Sequence, residues 1–294
     1  MAAPLVRRRL RTPVPVTIAT AYAAVPALAV ALPRSRGRDV GLCLLQMWAY
    51  VAAYKMPNDD PDKLERRVHV DYPIWVDRAI GAGLTPTQRL QRRFARTGTP
   101  TVAERTLVWS HWVWFAVPHA TVLWMLTRHP ERFPRAAYLT YGVFNAGCLI
   151  YWLVPTAPPW YAAEQGRLPV TEPPAPDVRR MMLEEGERFW KEHWGSLYGA
   201  LAGNPYAAMP SLHFGTSLMA ARLLADAGPV EGAVGFAYAA TLGTALVYLG
   251  EHYVVDLVAG ALLAEGVRAA APRVAPAAKR IGGAIESLGR RAQA

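Results

Sequence analysis

Apolar residues run along this chain in seven long blocks, at residues 14–32, 40–56, 107–126, 136–155, 211–225, 232–249 and 252–269. A bilayer core roughly 30 Å thick needs about 20 apolar residues of helix to cross it, and several blocks approach that length. The pattern predicts an all-α fold, a polytopic transmembrane helical bundle of about six to seven spans. Seven spans would leave the termini on opposite sides; one re-entrant or interfacial N-terminal block would reduce the count to six. The block at 211–225 is short and contains Arg222, a charge that needs protein or water around it at depth. The first block follows a basic stretch at 7–11 but is longer than the roughly 7–15 apolar residues of a signal peptide, so an uncleaved anchor is expected.

Polar stretches divide the chain into an N-terminal transmembrane hairpin (1–56), an amphipathic connecting region (57–106), a membrane domain (107–270) and a basic flexible tail (271–294). In the connecting region Thr85-Pro86 reads as an N-cap followed by proline at the first helical position. Leu90 and Phe94 then repeat at i, i+4 while Arg89, Arg92, Arg93 and Arg96 fill the other face, as in an interfacial helix on anionic headgroups or a plain solvated surface helix. A second polar stretch, 156–209, is rich in Pro, Trp and Tyr.

Composition reinforces the membrane reading: 52% of residues are hydrophobic and 18% charged. Ten Trp residues cluster near the ends of the apolar blocks, where an apolar ring with an N–H to satisfy prefers the interface. The formal charge of +10 is carried by short loops and tails such as Arg34, Arg36 and Arg38, which suits lipid headgroups and implies no nucleic-acid partner. Cys43 and Cys148 both sit inside apolar blocks, as buried small hydrophobes rather than a disulfide framework. With 156–209 outside, Arg128, Arg132, Arg135 and the basic tail fall inside, whereas residues 7–11 and the arginines at 89–96 fall outside. The positive-inside tendency is therefore divided, and the expectation is an integral protein of the cell membrane with the 156–209 face, and the candidate active site on it, extracytoplasmic.

Alternating spans would bring three patches to one membrane face: Pro155-Thr156-Ala157-Pro158-Pro159-Trp160-Tyr161, Pro210-Ser211-Leu212-His213, and His252-Tyr253-Val254-Val255-Asp256. His252 and Asp256 are four apart, so on a helix they share a face. A carboxylate there can accept one imidazole proton and leave the other nitrogen free as a nucleophile; an isolated pair of this spacing also serves to satisfy itself at a helix end. Ser211 and His213 stand at a predicted helix N-terminus, where free N–H groups favour anions and a histidine can protonate a departing oxygen. His111, His119 and Asn145 read as ordinary interhelical hydrogen-bonding groups.

Taken together, Pro-Ser-x-His followed one hairpin later by Tyr248-Leu249-Gly250-Glu251-His252-x-x-x-Asp256 resembles the type 2 phosphatidic acid phosphatase superfamily. Ala157-Pro158-Pro159-Trp160-Tyr161 and the run from His252 to Gly260 are similar to the first and third motifs of its inositol phosphorylceramide synthase branch. The resemblance covers about residues 136–265 and reaches back towards Asp71-Tyr72-Pro73. It implies His252 as the nucleophile on phosphorus, Asp256 as its orienting carboxylate, His213 as general acid and Ser211 as a phosphate-oxygen donor. The phosphoryl group would pass from a membrane lipid phosphate through a phosphohistidine to a lipid or sugar alcohol, or to water, with neither cofactor nor metal. Trp160 and Tyr161 would line the mouth where the acceptor enters. The phosphatase pattern has Lys and Arg in its first motif and Ser-Arg in its third, whereas Pro159-Trp160 and Ala245-Leu246 stand there in this chain. Lys191, His193, Arg179 and Arg180 are the candidates for the missing cation, with Lys191 assigned to phosphate binding. Two other readings are a metal hydrolase using His213, His252 and Asp256 as ligands, and a non-catalytic lipid-binding protein. The number of subunits cannot be read from the sequence.

Overall fold

A computed structural model describes residues 12–55, 61–96, 98–168, 178–195 and 204–293, and its regular elements there are helices. The hairpin is α1 (Val14–Ala31) and α2 (Arg36–Lys55), its turn held by the Arg38 guanidinium donating to the Ala29 and Leu32 carbonyls. The connecting region folds as α3 (Pro61–Glu65), α4 (Asp71–Ile80) and α5 (Pro86–Phe94). Then follow α6 (Val102–Val113), α7 (Val117–Arg128), α8 (Phe133–Leu153), α9 (Pro159–Glu164), α10 (Met181–Trp190), α11 (Leu212–Ala227), α12 (Pro229–Tyr248) and α13 (Val254–Gln293).

Among the described residues, two helices are long and apolar enough to cross a membrane by length and composition, α1 with 18 residues and α12 with 20. Of the other expected spans, the block at 107–126 is not one helix. It breaks between α6 and α7 at Trp114, Phe115 and Ala116, whose N–H groups make tight bonds to the carbonyls three residues back. Pro118 accounts for the break: it has no N–H and its ring would clash with the carbonyl of Trp114 in a continuous helix. The expected span at 136–155 is α8, 21 residues long. The short block becomes the 16-residue α11, and its Arg222 finds the partner its position demanded, donating to Glu265 at 2.7 Å.

α8, α11, α12 and α13 enclose the main core, built on Leu139, Phe144, Leu212, Met219, Leu242 and Leu246. α11 and α13 cross so closely at Gly215 and Gly260 that a Cβ on Gly260 would lie 2.3 Å from the Ser211 carbonyl oxygen. The basic tail is not loosely ordered as expected. It continues α13 to Gln293 through Pro272 and Pro276, in an Ala-rich stretch of high helix propensity tied back by an Arg34–Glu286 ion pair.

The N-cap expected at Thr85 is present, with Pro86 first in α5, and Gln88 completes it as a capping box. The buried stripe of α5, however, is Thr87, Gln88 and Gln91, while Phe94 and the arginines face outwards. These polar groups answer open carbonyls at the end of α12, with Thr87 donating to Val247 O and Gln91 to Tyr248 O, each at 2.8 Å.

Candidate active site

The three patches meet. Thr156 forms bridges with His69 on one side and Ala207 on the other, its N–H donating to Tyr206 O at 2.7 Å and its carbonyl accepting from Ala208 N at 3.1 Å. This lays the first patch beside the chain leading into Ser211. Three residues beyond Ala157, the Trp160 N–H donates to Gly250 O at 3.1 Å, which ties the first patch to the turn preceding His252. Tyr151 joins the second patch to α8, donating to Pro210 O at 2.8 Å and accepting from Leu212 N at 3.3 Å.

At the centre, His213 Nδ1 and His252 Nε2 lie 3.1 Å apart, one on the first turn of α11 and the other just before α13. His252 Nδ1 is 3.4 Å from Asp256 Oδ2, and both side chains are buried. The distance exceeds a good hydrogen bond, and neither Nδ1 nor Asp256 Oδ1 has another partner, as is common for catalytic contacts before substrate binds. His252 is not on the helix, contrary to the i, i+4 expectation. Asp256 sits on the first turn of α13, and the oxygen that faces the imidazole, Oδ2, also takes the Tyr253 N–H at 2.8 Å. Ser211 is the N-cap of α11, its Oγ accepting from Phe214 N at 3.2 Å, while its own N–H donates to Asp256 O at 2.9 Å.

His213 is clamped between two rings, Trp114 at 4.0 Å and His111 at 4.6 Å between centroids. Trp114 is itself fixed by donating Nε1 to Thr216 Oγ1 at 2.9 Å. The histidines expected to hydrogen-bond between helices instead pack on rings, His111 tilted against His213 and His119 stacked on Phe144, each with its Nδ1 unpartnered. Asn145 does bond across helices, accepting from Tyr22 and Gln46.

Of the remaining expected site residues, Trp160 is half-buried beside the His252 turn. Tyr161 turns away, its hydroxyl 3.4 Å from Glu65 and its ring edge-on to Tyr206. Lys191 is exposed at the end of α10 with no bond to the histidine pair. Arg179 is consumed by Glu184 at 2.8 Å and by the carbonyls of Arg96 and Gly98. Among the described residues no three His, Cys, Asp or Glu side chains are grouped to hold a metal ion.

Sequence reasoning missed Asp77. From α4 it accepts the first two N–H groups of α13, Val254 at 2.9 Å and Val255 at 3.1 Å, so a carboxylate 179 positions from Asp256 caps the helix that carries it. No local pattern announces a cap supplied from so far away; the nearby Asp71-Tyr72-Pro73 stretch is the only hint. Tyr72 belongs to the same brace, bonded to Thr156 Oγ1 at 2.9 Å.

Burial pushes the Asp77 carboxyl up from 3.8 to about 6, against the lowering effect of its two backbone bonds. A folded-state value above the unfolded one means that this group's contribution is fully present below pH 3.8 and is lost as pH rises through about 6. Asp77→Asn keeps a carbonyl acceptor without the charge. Its melting temperature relative to the unsubstituted protein should therefore climb across that window and then level off. Asp77→Ala should melt below Asp77→Asn at every pH, by about 1 kcal/mol, the usual scale of a lost cap. Thermal melts in detergent from acid to neutral pH measure both differences, and a pH-independent gap between Asp77 and Asn would refute the titration.

A family model described as the PAP2 superfamily matches residues 64–270. The match takes in all of α4 and α5, beyond the part of the chain where the motifs lie, in keeping with the structural tie between Asp77 and α13. No curated protein and no solved structure matches the chain.

Proposed function

The chain belongs to the PAP2 superfamily, and on that premise we propose that it is an integral-membrane phosphotransferase acting on a lipid-linked phosphate through a phosphohistidine. Membership supports phosphatase or phosphotransferase chemistry in general. The observation that carries the specific reading is the 3.1 Å approach of His213 Nδ1 to His252 Nε2, with Asp256 behind the second ring.

The steps proposed for this pair require His213 Nδ1 to part from His252 Nε2, so that phosphorus enters between them. With its Nδ1 proton turned to Asp256, His252 presents the Nε2 lone pair to phosphorus. The Nε2–P bond forms as the bond from phosphorus to the leaving alcohol oxygen breaks, and His213 gives that oxygen its proton. An acceptor hydroxyl then returns a proton to His213 as its oxygen attacks phosphorus and the N–P bond breaks. In this reading the Ser211 hydroxyl and the His213 N–H hold phosphate oxygens, since the neighbouring Leu212 and Phe214 N–H groups of α11 are taken by Tyr151 and Ser211.

Acceptance of an alcohol rather than water is the finer part of the proposal, and it places the chain nearest the inositol phosphorylceramide synthase branch. Support comes from the first patch: Pro159 and Trp160 stand where the phosphatase pattern carries cations, and Trp160 is bonded to the His252 turn and packs in the cluster of Tyr253. An apolar, aromatic mouth excludes water and orients an alcohol oxygen, which strongly favours transfer over dilute hydrolysis. The membrane placement rests on the apolar helices, with a bundle of six to seven spans and an extracytoplasmic site as the proposed topology.

Purified protein given one labelled diacylglycerol phosphodiester, with and without a panel of lipid and sugar alcohols, should yield the transferred head-group phosphate only when an acceptor is present. Inorganic phosphate from a monoester as the sole product across the panel would establish hydrolysis in its place.

A further inference from the structure

The motifs of this chain lack the arginines that the family pattern places around phosphate, yet the charge spread over the equatorial oxygens of a phosphoryl transition state calls for a cation. The structure brings one there from outside the motifs. Arg180 places its guanidinium over the ring of Trp160, with Cζ 3.9 Å from the ring centroid, and the Trp160 backbone N–H is bonded to Gly250, two residues before His252. The backbone beneath Arg180 is pinned to the same turn. Gln91 accepts from Arg179 N at 2.7 Å and donates to Arg179 O and to Tyr248 O, clamping this segment against the end of α12. Glu251, adjacent to His252, is held above its ordinary value by burial while Arg180 and His252 draw it down, so the two side chains border one carboxyl group.

Arg180 is also only partly engaged. One terminal nitrogen meets Glu164 at 2.6 Å, but Nε is buried without a hydrogen-bond partner. Glu164 is half-exposed, and an ion pair so open to solvent contributes little, which leaves it free to exchange for a more highly charged anion. Arg179 next door has no such freedom, bound as it is by Glu184, Glu104 and two carbonyls. We propose that Arg180, presented on the face of Trp160, is the phosphate-binding cation of this site, releasing Glu164 to grip the non-bridging oxygens of the lipid phosphate. The planar fork suits two phosphate oxygens at once, a geometry lysine cannot reproduce.

This inference rests on the phosphotransfer reading, and the experiment separates the two. The full-length protein in detergent micelles is assayed with labelled phosphatidate and phosphatidylinositol, comparing Arg180→Ala, Arg180→Lys and His252→Ala. Arg180→Ala should lose about 10²- to 10³-fold in kcat/KM, the scale of one preorganised transition-state donor, with an unchanged melting temperature. Arg180→Lys should recover only a small part. Added guanidinium ion should raise the rate of Arg180→Ala and not that of His252→Ala, a rescue that a merely structural arginine would not allow. Unaltered kcat/KM in Arg180→Ala beside an inactive His252→Ala overturns the role of Arg180 and leaves the phosphotransfer reading standing. Loss of activity together with a lowered melting temperature and no guanidinium rescue also overturns it. Full activity in both variants removes the phosphotransfer reading itself.

Discussion

Replacing His252 with alanine should leave a folded, membrane-inserted protein whose activity falls by at least about 10²-fold, the usual scale for losing a positioned catalytic group, and should abolish the covalent phosphoenzyme altogether. His213→Ala and Asp256→Asn should fall on the same scale, for different reasons. Without His213 the leaving oxygen departs unprotonated, so a donor whose leaving group is a good anion, such as a nitrophenol, should recover much of the lost rate. Asp256→Asn removes the negative charge that holds the His252 proton on Nδ1 and supports Nε2 as a nucleophile, and no choice of leaving group should restore it. Phosphoenzyme trapping with a labelled donor, beside steady-state rates for lipid and nitrophenyl donors, distinguishes the three. Ordinary turnover by a well-folded His252→Ala protein would end the nucleophile assignment, whatever the other two variants do.

How much of this site can be read in the sequence follows from how local each contact is. His252 and Asp256 are four residues apart and His213 follows Ser211 by two, so short-range spacing exposes both halves of the pair. One apolar hairpin, α11 and α12, returns them to the same end, and hydrophobic block lengths are enough to anticipate that. Four features lie beyond such reasoning. The caps of α13 include a carboxylate from α4, and the platform for Arg180 is Trp160, so these partners are distant in sequence and fixed only by tertiary packing. The break after α6 is written in Pro118, but hydropathy alone passes over it because its neighbours are apolar. The polar buried stripe of α5 defies an apolar-face rule, since its role is to satisfy the carbonyls of α12 rather than to bury hydrocarbon.

A single methyl group at Gly260 should be nearly as damaging to activity as the loss of a catalytic histidine. The spacing of His213 from His252 depends on how closely α11 approaches α13, and that approach is set where Gly260 meets Ser211 and Gly215. A Cβ at Gly260 would come within 2.3 Å of Ser211 O, a backbone atom that cannot rotate aside and that also accepts the first helical bond of α11 from Gly215 N. The Ser211 N–H is meanwhile committed to Asp256 O at 2.9 Å, so the strain is delivered to the segment joining both motifs. Relief requires the helices to part by about 1 Å, a displacement that typically costs about 10²-fold in rate. Gly260→Ala should therefore lose activity on that scale while losing only about 1–3 kcal/mol of stability, the range for overpacking a close contact. Gly266, six residues further along α13, supplies the control, because a Cβ there would meet nothing within 4 Å. Gly266→Ala should retain full activity and gain roughly 0.5–1 kcal/mol, since alanine is the better helix former. Paired assays and detergent melts of the two variants decide the matter: equal activities would show that the glycine crossing does not hold the histidines at their working distance.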